Sequence, residues 1–484
     1  MSQSGVLRFV GILMAWIATA MIPPAALAVG EGLFFSWLAC IATVGAIGGV
    51  LILATRGEVT LDHRAGLVVV GLGWLAVVIV GSLPFAYTGV SPGLAAAFFE
   101  SVSGFTTTGA TVFPIIEDLP RSILLWRSIT HWLGGMGIIV LGVAILPFLG
   151  VGGAQIFHAE APGITTDRLK PRIAATARLL WSVYAILTVA LGMGYLVLGM
   201  PVFDAINHAM STLATGGFST RTTSLGAYSP AIQWLTVIFM VIAGTNFALH
   251  YRMMSGQLGT WFRDVEWRVY VLLIVVAALP CFVVLGFTDG VWSLDLFRTA
   301  TFNVVAVMTT TGFATTDFAA WPPVLQVILL GLMFVGAMGG STGGGLKVVR
   351  FVVLATHAVK RFQLVHHPRA VVVTRIGRRP IRQDVFLNVV DLFALFICTH
   401  GVGTFLLTAM GYDFMTSMSA ALAAMSSIGP GLGAVGPASN YGFMNPGAMI
   451  VLSLLMLLGR LEFYTLLVLF VPETWRRAFR SNSR

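Results

Sequence analysis

The sequence has little charge and almost no cysteine. Only 10% of its 484 residues are Asp, Glu, Lys or Arg, and three are Cys. A soluble domain carries about 25% charged residues, and a disordered chain combines high charge with low hydrophobicity. At 57% hydrophobic residues and a mean hydropathy of +0.90, the chain fits neither class, and lipid must be the solvent for much of its surface. Cys40, Cys281 and Cys398 lie far apart, each inside an apolar run. That excludes a disulfide framework or a zinc site, and they read as small buried hydrophobes. Catalytic patterns are missing as well: no HExxH, no Ser-His-Asp ordering, no paired carboxylates at useful spacing. His131, His208, His250 and His400 stand singly in or beside apolar runs and read as packed or hydrogen-bonded side chains. Glycine is instead in excess, 54 of 484 against about 7% in average proteins.

Ten apolar runs are long enough to span a bilayer, which takes about 20 residues each: 5–28, 34–55, 64–87, 121–150, 173–200, 229–255, 267–288, 323–350, 384–411 and 443–471. The first resembles a cleaved signal, with Ala26-Leu27-Ala28 at its end, but it is long enough to be a retained helix. Four shorter apolar pieces, near 93–108, 202–215, 295–311 and 414–428, cannot span and read as re-entrant segments.

Basic residues decide the orientation. Nine lie between Lys347 and Arg382, with further groups at 168–178, 252–268 and 476–484, so that 23 of the 28 fall on one face, counting Arg8, Arg56 and Arg64. The positive-inside rule makes that face cytoplasmic and puts both termini there. The net charge of +9 therefore requires no nucleic acid. The opposite face has Arg121, Arg127, Arg221 and Arg298 against nine acids, among them Glu100, Asp204 and Asp413. That balance predicts a negative vestibule that concentrates cations.

The four short pieces are repeats of one another. Aligning Gly109, Gly216, Gly312 and Gly429 matches Thr107-Thr108-Gly109, Thr215-Gly216-Gly217, Thr310-Thr311-Gly312-Phe313 and Ile428-Gly429. Nine residues before these glycines stand Glu100, Asn207, Asn303 and Ala420. Thr108, Thr215 and Thr311 precede the glycine, and Ile428 makes the fourth unit the degenerate one. The predicted fold is an all-α polytopic membrane protein: four parallel units, each helix, re-entrant pore helix, glycine loop and helix, surround a pseudo-fourfold pore behind two extra helices. The units fall at 61–165, 166–262, 263–382 and 383–484, after the extra pair at 1–60. Ser91, Asp204, Asp295 and Asp413 are N-cap residue types where the re-entrant helices would start. Irregular backbone at membrane depth survives only where it lines a wet cavity or is buried in protein, and rings of carbonyls replace the hydration shell of a cation such as potassium.

The stretches Glu100 to Thr111, His131-Trp-Leu-Gly-Gly-Met-Gly137, Ser211 to Ser219, Gly339 to Lys347 and Gly459-Arg-Leu-Glu462 resemble the TrkH/TrkG/KtrB superfamily of potassium-translocating subunits, and most of all its TrkH-type branch. The resemblance runs from residue 5 to about 475. It implies potassium uptake across a bacterial inner membrane, a homodimer, and a cytosolic TrkA-like nucleotide-binding regulatory ring; a nucleotide would sit on that partner only. Residue by residue, it assigns the potassium filter to the four glycine loops. A serine in the first loop goes with sodium preference in plant relatives, so four glycines imply potassium. It also implies that Arg460 projects into the pore below the filter and limits flux.

The run 323–350 is interrupted by Gly336–Gly345, six of whose ten residues are glycine. Leu346, not lysine, follows Gly345, and no strand precedes, which excludes a phosphate-binding loop. By the resemblance, Gly339, Gly340, Ser341, Thr342, Gly343, Gly344, Gly345 and Lys347 form an intramembrane gate together with Arg460; Met338 stands where relatives often carry cysteine. Gly431, Gly433 and Gly436 match a dinucleotide fingerprint, but without a βαβ context, and read as the outer continuation of the fourth loop. Asp391 is a possible ion-pair partner for Arg460; Glu462, two residues on, faces elsewhere. A cation-coupled secondary transporter is the alternative reading, with Asp391, Arg460 and Glu462 as its few titratable candidates. A multipass membrane enzyme is a second, and lacks a catalytic cluster.

Overall fold

The computed structural model describes residues 3–55, 63–144, 169–369, 375–377, 379–381 and 383–472. They form helices and connecting loops, with a single short ladder of Arg375–Ile376 against Arg379–Pro380. Among the described residues, six helices are long and apolar enough to cross a membrane: Gly5–Glu31, Phe34–Ala54, Val68–Tyr87, Ala175–Val197, Val265–Asp289 and Gln383–Ala409. Their outer faces carry bare apolar side chains, such as Phe35, Leu53 and Val197, each at least 80% exposed. That is the surface lipid requires and water forbids. Cys40 and Cys281 are buried as expected, whereas Cys398 is exposed on such a face.

Inside this shell lie four short helices, Leu94–Phe105, Val202–Leu213, Leu294–Met308 and Phe414–Ser426. At 1.5 Å per residue they reach about 18–22 Å, short of a ~30 Å hydrocarbon core. Ser419 to Ser426 of the last are buried without exception. Of the expected caps only Asp413 is one, its carboxylate accepting from Thr416 N–H at 3.0 Å. Hydrogen bonding from the Thr416 side chain, and then from its N–H, holds the Asp413 carboxyl below the usual carboxylate range. Ser293, not Asp295, caps the third helix. Gly93 and Pro201 precede the other two, leaving Ser91 and Asp204 outside that role.

Two runs expected to be continuous are broken. Pro230–Ala243 and Phe247–Met254 meet at 100°, and Pro446–Arg460 and Tyr464–Phe470 at 112°. Asn246 restarts the helix at the first break by accepting from Ala248 N–H. At the second, Glu462 and Phe463 take φ of 53° and 59°, which no right-handed helix accommodates. The expected interruption of 323–350 is present between Pro323–Val335 and Val348–His366. The unit boundaries after residues 60, 165 and 382 lie outside the described residues, as do Arg168 and the basic groups at 378, 382 and 476–484; the boundary after 262 falls inside the short helix Thr260–Arg263.

Candidate functional site

Each short helix ends in a loop with the same backbone signature, two left-handed residues separated by one. They are Thr107 and Gly109, Thr215 and Gly217, Thr310 and Gly312, and Ser427 and Gly429. The second glycine is therefore Gly217, and the expected alignment on Gly216 is one residue short there. Three threonines and a serine at φ of 52–58° are costly conformations, on the order of 1–3 kcal/mol each, of a kind that clusters at functional sites.

The four loops close on one another. A methyl group at Gly109 would lie 2.0 Å from the carbonyl oxygen of Gly216, one at Gly217 2.2 Å from that of Thr311, one at Gly312 1.7 Å from that of Ile428, and one at Gly429 2.6 Å from that of Thr108. Each glycine thus seats the carbonyl of the next loop, and the fourth seats that of the first. No side chain fits at any of these seams, and all four glycines line one cavity. In this register the residue two before the glycine is Thr107, Thr215, Thr310 or Ser427, so a hydroxyl is present in every loop. Ser427 is the member that the sequence alignment passes over. The residue just before the glycine is Thr108, Gly216, Thr311 or Ile428, so two units depart there, not one. Thr108 and Thr311 each pair with the hydroxyl two residues back, Thr106 and Thr309, at 2.8 Å.

Polar side chains tie each helix to the strand leaving its loop. Glu100 accepts from Thr111 Oγ1 at 3.0 Å, Val112 N–H at 3.1 Å and Arg127 Nε at 2.8 Å. Asn303 bonds Thr315 and Thr316. In the second unit the tie is His208, whose Nε2 is 2.9 Å from Ser219 Oγ. Among the described residues Asn207 bonds only its own helix, through Phe203, so the one-residue shift recurs here. In the fourth unit Ser419 replaces Ala420, exchanging hydrogen bonds with Leu432 N–H and C=O. Arg127, Arg221 and Arg298 pair with Glu100, Asp204 and Asp295. Three of the four outer bases therefore neutralise outer acids, and the predicted excess of negative charge is carried by the remaining acids. His131, His250 and His400 are hydrogen-bonded as expected.

The glycine-rich segment lies directly beneath. Gly344 N–H donates to Thr310 Oγ1 at 2.6 Å, so the segment touches the lowest hydroxyls of the ring. Thr342 Oγ1 lies within 3.2 Å of the carbonyls of Leu213 and Ala243, and Gly340 C=O accepts from Phe247 N–H at the first helix break. Ser341 bonds Met338 C=O, and Lys347 Nζ donates to Gly343 C=O. Gly339 N–H in the segment and Val349 N–H in the first turn of the helix that follows it both donate to Glu266, at 2.7 and 3.1 Å. Gly345 adopts φ of +72°, packed against Gly336. Arg460, 3% exposed, donates from Nη1 to Thr342 C=O at 2.8 Å, and its Nε and Nη2 have no partner among the described residues. It does not pair with Asp391, which lies exposed on the outside of its helix. Glu462 pairs with Arg350 instead. Sequence reading missed Glu266 and Arg350, whose contacts lie 73 and 112 residues away.

A family model described as TrkH, a cation transport protein, matches residues 35–477. The chain is 42% identical to the Trk system potassium uptake protein TrkH of Salmonella typhimurium over 97% of this chain and 98% of that one. It is 34% identical to the Trk system potassium uptake protein TrkG of Escherichia coli K12, over 96% and 97%. The crystal structure of the potassium transporter TrkH from Vibrio parahaemolyticus superposes with a TM-score of 0.90 at 38% identity, covering 98% of this chain and 100% of that one.

Proposed function

The chain belongs to the TrkH family of cation transport proteins, and from that premise we propose that it takes up potassium through the closed ring of four loops. The observation that carries this reading is the ring itself: four glycines, each packed against a carbonyl of the next loop. A bare backbone ring offers oxygens to a dehydrated cation without a side chain in the way. Thr107, Thr215, Thr310 and Ser427 add hydroxyls one step below, and the buried Thr107 and Ser427 hydroxyls have no protein partner among the described residues.

Below the filter, the segment 339–345 and Arg460 form the gate. A buried guanidinium with unsatisfied donors repels a cation at that depth, and a loop held by several single hydrogen bonds can move without unfolding the bundle. The four units act as equivalent quarters of the pore, behind the helix pair at the N-terminus. The basic stretch 347–382 and the helix ends near 178 and 252–268 face the cytoplasm and bind a cytosolic TrkA-like nucleotide-binding ring; the protein is a homodimer in the bacterial inner membrane with both termini inside. Glu462 is engaged by Arg350 and Asp391 is outside the pathway, which favours this reading over a secondary transporter built on those groups.

Expression in a bacterium lacking its own potassium uptake tests the function. Growth at low potassium is expected with the intact chain and the regulatory partner. Absence of growth, with protein present in the membrane, contradicts the reading.

A further inference from the structure

We propose that His131 is a specificity-determining residue, its imidazole standing in for the side chain that the second filter loop lacks. This rests on the reading of the ring as the filter.

The residue before the seam glycine is Thr108, Ile428 or Thr311 in three loops and Gly216 in the second. Gly216 is not in the left-handed region, so its backbone would accept any residue. What excludes a side chain is His131: a methyl group at Gly216 would lie 2.2 Å from Nδ1, 2.5 Å from Cγ and 2.6 Å from Cε1. The ring of His131 occupies the volume that a threonine or isoleucine fills in the other loops. It comes from Arg121–Ala144, the helix of the preceding unit.

The ring is held from two sides. Nδ1 lies 2.9 Å from Ser211 Oγ, the counterpart of Ser103 in the first short helix. One face stacks on Phe218 at 4.1 Å and 12°. Arg127 lies over Phe218 at 3.9 Å; two groups this close to one ring centre must cover opposite faces, so Phe218 is sandwiched. Arg127 is fixed in turn by Glu100. Nε2 has no partner among the described residues, so it is the shape of the ring that serves. Gly216 supplies the carbonyl seated at Gly109. His131 therefore stands behind one of the four ring oxygens, and its loss leaves that oxygen free to shift toward the empty volume.

The test uses the full-length protein in liposomes and measures rubidium against sodium influx. His131→Ala is expected to lower the rubidium-to-sodium ratio by roughly tenfold, as the loss of a fitted group does in other selective sites, while rubidium influx persists. His131→Phe keeps the volume and the stack and is expected to retain the ratio. Gly216→Thr alone is expected to impair influx through collision. The double variant Gly216→Thr/His131→Ala, which returns the side chain to the loop, is expected to recover the ratio. An unchanged ratio in His131→Ala, a ratio in His131→Phe as low as that expected for His131→Ala, or a double variant no better than the worse single one overturns the proposal. Gly109→Ser is run alongside. If it too leaves the ratio unchanged, the filter reading fails; if it alone lowers the ratio, only the role of His131 fails.

Discussion

Arg350 and Glu462 meet at 2.7 Å across two broken helices of different units. Arg350 opens the helix that follows the glycine-rich segment, and Glu462 sits in the 112° bend of the last helix. Their side chains are 3% and 13% exposed. Removing one partner of a buried pair leaves the other charge uncompensated, at a cost of about 3–5 kcal/mol, whereas replacing both with apolar groups is often neutral. Arg350→Ala and Glu462→Ala should each lower the thermal unfolding midpoint in detergent, and Arg350→Met/Glu462→Met should recover most of the loss. Simple additivity of the two losses would contradict a coupled pair.

Arg460→Ala removes the only described side-chain donor to Thr342 C=O and one of the cations below the ring, Lys347 being another. Basal rubidium flux into liposomes without the regulatory partner should rise several-fold. Lower or unchanged flux counts against its role in gating.

Glu266 fastens the segment to the helix that follows it through Gly339 and Val349. Glu266→Ala should raise basal flux in the same assay without altering the preference for rubidium over sodium. Glu266→Gln keeps an acceptor oxygen and should lie nearer the unaltered protein. Equal flux in all three proteins would show that the segment is held elsewhere.

His208 and Asn207 are neighbours with different work. His208 joins its helix to Ser219, and among the described residues Asn207 bonds only within the helix. His208→Ala should cost about 1–3 kcal/mol, the usual range for leaving a buried polar partner unsatisfied. Asn207→Ala should cost less. Thermal unfolding of the two variants side by side decides it, and the reverse order would refute the one-residue shift of the second unit.

Much of the architecture was readable because it is repeated. A short apolar piece ending in a glycine loop between two apolar runs has little meaning once and a great deal four times. The gate residues are proposed from the resemblance, not from any local pattern. The second unit misled because Gly216 and Gly217 are adjacent, and composition does not say which of two glycines takes the left-handed angle. Only packing does: His131 against one, Thr311 against the other. The bends at 244–246 and 461–463 were hidden because hydrophobicity continues through them. Glu462 and Phe463 are not helix breakers by residue type, and the Arg350–Glu462 pair that spans the second bend joins residues 112 apart. Long-range bonds, Glu266 to Gly339 among them, leave no local pattern to find.

The proposed potassium filter is the ring of Gly109, Gly217, Gly312 and Gly429. The most direct measurement is the rubidium-to-sodium influx ratio of Gly109→Ser and Gly217→Ser in liposomes. A side chain at either seam collides with a ring carbonyl, so both ratios should fall well below that of the unaltered protein. Two variants that fold, conduct and discriminate as before would contradict the account.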